Sequence, residues 1–197
     1  MNKSKLIEHY DLLIDENNDP VNDSLELKNY MNKWDGDRFI ESLNLDETKI
    51  VLEIGVGTGR IALKVAPFVK KFVGIDISPK TIKRAKEHLF SDNVELICAD
   101  FNKYLFNEQF DIIYSSLTFM HFSDKLLVLN KIKSLLAENG RLILSINKSL
   151  EKYIDMETRK LEIYPCSKEE MEQYLLDSKF TIIEQYEVEF AWIFIVK

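Results

Sequence analysis

Apolar residues change their period twice along the chain. Between residues 4 and 14, Leu6, Ile7, Tyr10, Leu13 and Ile14 recur at helical spacing and predict an amphipathic helix. A polar stretch over 15–23, containing Pro20, interrupts it. Helical spacing resumes through Leu25, Leu27, Tyr30, Met31, Trp34, Phe39, Ile40 and Leu43, with a break at Asp35-Gly36. From residue 50 onward, short apolar runs alternate with helical segments. Strands are predicted at Ile50–Ile54, 72–77, 94–99, 110–114 and 141–146. Helices are predicted over 58–68, from Ser78-Pro79 onward, and from Ser123-Asp124 to a stop at Asn139-Gly140. Ser167-Lys168-Glu169-Glu170 has the spacing of a capping box. The chain closes on two β-rich runs, 180–188 and 190–196, near enough to pair as a hairpin.

Strands that alternate with helices imply parallel pairing and right-handed crossovers. The strands are apolar throughout, which fits a sheet covered on both faces. The expected fold is α/β: a doubly wound, mostly parallel seven-stranded sheet with a C-terminal antiparallel hairpin. Residues 1–48 are expected to form an N-terminal helical cap on a main domain of 49–197.

Composition narrows the partners. The 197 residues carry 26 basic and 33 acidic side chains, a net charge of −7. That balance argues against a nucleic-acid partner, because phosphate contacts draw on a surplus of Lys and Arg. Two cysteines, Cys98 and Cys166, cannot build a disulfide framework and suit a reducing, cytoplasmic setting. The first twenty residues lack a secretory pattern, and no apolar run approaches the ~20 residues of a membrane span. His9, His88 and His121 lie far apart with no grouped cysteines, so no metal site is expected.

In an open parallel sheet the ligand crevice lies beyond the carboxyl ends of the strands, so the residues there carry the chemistry. The first strand runs into Glu53-Ile54-Gly55-Val56-Gly57-Thr58-Gly59-Arg60. Its three glycines allow a tight turn and close approach of backbone to a ligand. A dinucleotide fingerprint would need glycine where Arg60 stands, and the Gly-Lys-Ser/Thr of a P-loop is absent. The second strand ends in Asp76, whose carboxylate suits the two hydroxyls of a ribose. The third ends in Asp100-Phe101, an acid beside an aromatic, suited to the edge and face of an adenine. The fourth runs into Ser115-Ser116-Leu117-Thr118-Phe119-Met120-His121.

These segments, with Val73-Gly-Ile-Asp-Ile-Ser78 and Leu135-Leu-Ala-Glu-Asn-Gly-Arg-Leu-Ile-Leu144, resemble the class I, Rossmann-like, S-adenosylmethionine-dependent methyltransferases. The resemblance spans about Ile50 to Lys197 and implies S-adenosylmethionine as cofactor. It implies that Gly55, Gly57 and Gly59, with Thr58, pass the methionine part and that Glu53 organises the loop. Asp76 would hold the ribose, Ile77 would pack on the adenine, and Asp100 and Phe101 would bind its edge and face. Ser115 or Ser116 would sit near the methionine moiety. N-terminal helices in similar enzymes lie over the cofactor, which brings Tyr10 to the cofactor and Trp34 to the acceptor pocket.

The implied reaction is in-line transfer of a methyl group to a small-molecule acceptor at oxygen or nitrogen. His121 is the candidate base and a pocket residue, since a free imidazole titrates near neutrality. Ser115-Ser116-Leu117-Thr118 stands where relatives that methylate amino groups of nucleic acids or glutamine carry an Asn/Asp-Pro-Pro-Tyr signature. An RNA or protein methyltransferase, or a module that binds the cofactor without turnover, is the alternative. Asp35-Gly36-Asp37 lacks the other ligands of a calcium loop and reads as a turn.

Overall fold

The computed structural model describes residues 3–156 and 158–197. Seven strands form one sheet: β1 (Ile50–Ile54), β2 (Lys71–Asp76), β3 (Val94–Cys98), β4 (Phe110–Ser115), β5 (Leu136–Asn147), β8 (Ile182–Glu187) and β9 (Ala191–Val196). Their order is β3-β2-β1-β4-β5-β9-β8. The first five are parallel, and β9 pairs antiparallel with both β5 and β8, which gives the expected hairpin at the end of the chain. The order reverses between β1 and β4, so the crevice opens at their carboxyl ends.

Alternate residues of the central strands feed two cores. Leu52, Ile54, Val73, Ile75 and Ile113 face α6 (Lys125–Leu135) and α7 (Lys168–Asp177) through Val128, Leu129, Ile132, Met171 and Leu175. Val51, Phe72, Ile112 and Tyr114 face α3 (Gly36–Leu43), α4 (Ala62–Val65) and α5 (Pro79–His88) through Phe39, Leu43, Ala62, Val65 and Ile82. Burial on both faces is why these strands show no polar alternation.

The expected helix over 58–68 is only α4 followed by a 3₁₀ turn at Ala66–Phe68. Pro67 has no amide to continue the α-helical ladder. α6 ends at Leu135, before Asn139-Gly140, and Leu136 is already extended. β5 therefore starts five residues earlier than expected, with an irregular register against β4. Gly140 passes so close to β4 that a Cβ there would lie 2.9 Å from the Phe110 carbonyl oxygen. A second, two-stranded sheet, β6 (Tyr153–Met156) with β7 (Arg159–Glu162), stands between β5 and α7 where no element was expected.

The N-terminal stretch divides. α3 belongs to the sheet's covering layer, with Phe39 and Leu43 fully buried. α1 (Lys3–Asp15) packs instead against α5 and β7. α2 (Leu25–Met31) buries none of its residues.

Candidate active site

A cavity of 580 Å³ opens at the carboxyl ends of β1, β2 and β4, beneath α1. That volume is in the range of small-molecule sites, ~300–1,000 Å³. Its lining takes in Glu53, Gly55, Gly57, Thr58, Asp76, Ile77, Asp100, Phe101, Ser116, Tyr10 and His121. Three expected residues lie elsewhere. Gly59 turns toward α5, where a Cβ would meet the Leu89 side chain at 2.8 Å. Ser115 is fully buried and donates to the Ile54 carbonyl at 3.0 Å, tying β4 to β1. Trp34 packs on Phe190 and Tyr30, with ring centroids 4.8 and 5.3 Å away, on the side of the second core.

Backbone geometry builds the floor. Gly55 and Val56 donate to the Ile75 carbonyl at 2.8 and 3.1 Å, fastening the loop after β1 to β2. Gly55 has φ +78°, and a Cβ there would fall 2.0 Å from the Thr118 hydroxyl. Gly57, at φ +56°, has nothing within 4 Å of a Cβ and leaves an open cradle. Asp76 Oδ2 accepts from Gly57 N–H at 3.1 Å and Oδ1 from Ser78 N–H at 3.0 Å. Burial pushes the Asp76 carboxyl up, against the pull of those amides. Each oxygen keeps lone-pair capacity for a ligand hydroxyl.

Beside Asp76, Asp100 Oδ1 accepts from Asn102 N–H at 3.0 Å, and Oδ2 pairs with Lys3 of α1. Asn102 lines the cavity, and its buried Oδ1 has no partner among the described residues. Lys131 donates to the carbonyls of Phe101 and Tyr104, both at 2.6 Å, and so fixes the aromatic corner from behind.

At the other end a buried polar network was not foreseen. Asp35 caps α3, accepting from Gly36 N–H at 2.9 Å, and also accepts from Ser116 Oγ at 2.9 Å. Both its oxygens take the Arg60 guanidinium, a bidentate pair under the glycine loop. Glu53 accepts from the Tyr114 hydroxyl at 2.8 Å. Burial pushes its carboxyl up to about 8, against that hydrogen bond and the Arg60 charge. Asp-Gly after Trp34 signals a turn, and nothing in the sequence pairs it with Arg60, 25 residues on.

His121 sits in a 3₁₀ turn, Phe119–His121, and is 6% exposed. Its Nε2 meets the Tyr10 hydroxyl at 2.6 Å, while the buried Nδ1 has no partner among the described residues. Burial, with the nearby His9 and Lys125, pulls the imidazole down to about 3, so it is neutral at ordinary pH. Burial and the Asp76 charge push the Tyr10 phenol up. Lys125 donates to three carbonyls, those of Phe119, Phe122 and Tyr164, at 3.1, 2.6 and 2.6 Å. Burial pulls its ammonium down to about 8. Among the described residues no group of three His, Cys, Asp or Glu side chains could hold a metal, and no helix is long and apolar enough to cross a membrane.

The chain resembles known proteins in sequence and in shape. A family described as a methyltransferase domain matches residues 45–185. A malonyl-[acyl-carrier protein] O-methyltransferase of Ilyobacter polytropus is 34% identical over 101 residues, covering 48% of this chain and 37% of its own. An uncharacterized methyltransferase of Schizosaccharomyces pombe is 29% identical over 145 residues, covering 63% and 51%. The matched part is thus about half or less of those relatives' lengths. The solved complex of DhpI with SAH superposes with a TM-score of 0.77 at 16% identity, over 98% of this chain and 95% of that one. An S-adenosylmethionine dependent methyltransferase from Mesorhizobium loti gives 0.70 at 14%, over 83% and 97%. At these identities the structural likeness is one of fold.

Proposed function

The chain belongs to the methyltransferase domain family, and from that premise we propose that it transfers the methyl group of S-adenosylmethionine to a small-molecule acceptor. The observation that carries this reading is the row of strand-end groups sharing one cavity: the open Gly57 cradle, the Asp76 carboxylate, and the Asn102 Oδ1 beside Phe101, which has no partner among the described residues. A glycine that leaves space, an acid held by backbone amides, and an orphaned buried acceptor are what an adenosyl ligand would complete.

The cofactor supplies a methyl group already activated on a sulfonium. Asp76 would accept from the ribose hydroxyls, with Ile77 and Phe101 covering the adenine faces. Asp100 and Asn102 would take its edge, once Lys3 yields its hold on Asp100. Glu53, Arg60 and the loop amides would receive the methionine end. α1 and the segment from Leu117 to Met120 would shut out water and hold the acceptor in line with the carbon–sulfur bond. His121 would act through Tyr10, whose hydroxyl meets its Nε2 at 2.6 Å.

Calorimetry with S-adenosylhomocysteine tests the cofactor reading. Asp76→Ala should weaken binding by about 1–3 kcal/mol, the scale of losing a charged hydrogen-bonding partner. Unchanged affinity would remove Asp76 from the ribose.

A further inference from the structure

Asp35 reaches the cavity through other side chains. It stands behind the wall: Arg60 and Ser116 line the cavity, and Asp35 does not. It is 4% exposed, and both its oxygens are filled. Oδ1 accepts from Gly36 N–H at 2.9 Å and from Arg60 Nη1 at 3.1 Å. Oδ2 accepts from Arg60 Nη2, and from Ser116 Oγ at 2.9 Å. A carboxylate holding two donors on each oxygen has no lone pair left for a ligand.

Those bonds fix the polarity of two groups that share one oxygen. The Ser116 hydroxyl gives its proton to Asp35, so toward the cavity it can only accept. Arg60 can only donate, and the N–H groups it keeps have no partner among the described residues. The end-on grip of Asp35 holds the guanidinium in one plane and settles its rotamer before a ligand arrives. A fixed donor fork beside a fixed acceptor is the complement of an amino-acid zwitterion: the fork takes a carboxylate and the hydroxyl oxygen takes an ammonium. Asp35 also offsets part of the Arg60 charge. Orientation outweighs that loss, because the buried Glu53 carboxyl already feels the Arg60 charge and is where a released guanidinium would turn.

We propose that Asp35 is a positioning residue for the amino-acid end of the cofactor, setting Arg60 as donor to its carboxylate and Ser116 as acceptor for its ammonium. This rests on the methyltransferase reading above. Asp35 itself touches no ligand atom. It joins the glycine loop, the end of β4 and the start of α3 at one point, so the seat for the zwitterion depends on a helix that precedes the sheet.

Calorimetry on the full chain compares S-adenosylhomocysteine, which carries the zwitterion, with 5′-methylthioadenosine, which has the adenosyl sulfur and no amino acid. Asp35→Asn keeps the α3 cap, since Asn accepts from Gly36 N–H as well as Asp does. Its amide nitrogen then faces Arg60 Nη2 and Ser116, loosening the first and reversing the second. S-adenosylhomocysteine should bind this variant about tenfold more weakly, the scale of losing a charge-assisted hydrogen bond, while 5′-methylthioadenosine changes by less than about twofold. Asp35→Ser, also a good cap and without a misplaced amide, should split the two ligands in the same direction. It carries the comparison alone if the melting curve of Asp35→Asn shows a misfolded chain. Equal weakening of both ligands overturns the proposal and leaves Asp35 a purely structural residue. Unchanged or tighter binding of S-adenosylhomocysteine overturns it too, as does a wild-type chain that binds both ligands equally. A wild-type chain that takes up neither would instead strike the methyltransferase reading itself, and the proposal with it.

Discussion

Below the cavity, the loop after β1 is fastened by amides of Gly55 and Val56 to the Ile75 carbonyl, and by Gly57 N–H to Asp76. Above it, α1 and the segment after it are fastened by side chains. Asp11 accepts from Ser78 Oγ and Lys80 N–H, Asp15 pairs with Lys80, Glu16 with Arg159, and Asp19 with Arg84 and His88. The floor is held by main-chain amides, and at Gly55 the Thr118 side chain leaves no room for a Cβ. The roof is an array of long-range charge pairs, many of them exposed. Bonds of the first kind are insensitive to salt, and those of the second kind weaken in it.

The largest effect separating the two should come from Gly55→Val. The change combines a φ of +78° with a Cβ 2.0 Å from the Thr118 hydroxyl. Strain and overpacking together should cost about 2–4 kcal/mol. Urea unfolding measures this, and a loss below 1 kcal/mol would mean that the floor yields as readily as the roof.

A smaller effect lies in pH. The Glu53 carboxyl is raised to about 8 in the folded chain, so folding retains a proton that the unfolded chain has lost above its ordinary value. Its stabilising contribution is full at acid pH and declines as pH rises toward 8, by about 1 kcal/mol per unit. Glu53→Gln should remove that decline. Unfolding at pH 5, 6.5 and 8 checks it, and parallel curves for the two proteins would contradict the raised carboxyl.

The smallest effect concerns the roof alone. At 0.5 M salt, amides of α1 should exchange hydrogen several-fold faster while those of β1 and β2 keep their rates. Equal acceleration in both would erase the distinction between floor and roof.

The same contrast decided what could be read from the sequence. Strands β1, β2, β4 and β9 were legible because each is a short, mostly apolar run buried on both faces, and the more exposed β3 and β8 were legible from their neighbours in the alternation and in the closing hairpin. Asp76 and Asp100 were legible because a strand end defines its own place in a parallel sheet. The early end of the helix after the glycine loop was written in Pro67, which lacks the amide for a further turn, whereas its start only at Ala62 was not legible. Contacts between distant segments were not legible. Asp35 with Arg60, Lys3 with Asp100, and the seat of Trp34 on Phe190 depend on where α1, α3 and β9 come to rest. The hairpin of β6 and β7 escaped notice because strands of four residues leave too few positions to show alternation.

Lys125 joins two stretches of chain that are nearly forty residues apart by feeding one ammonium into three carbonyls, two on the His121 turn and one at Tyr164. Met120 adds a backbone tie from its carbonyl to Tyr164 N–H at 2.7 Å. The wall beside His121 and the segment following the hairpin thus move as one rivet-joined plate. Loss of that one ammonium would leave three carbonyls short of a donor and loosen the pocket wall and the distal segment together.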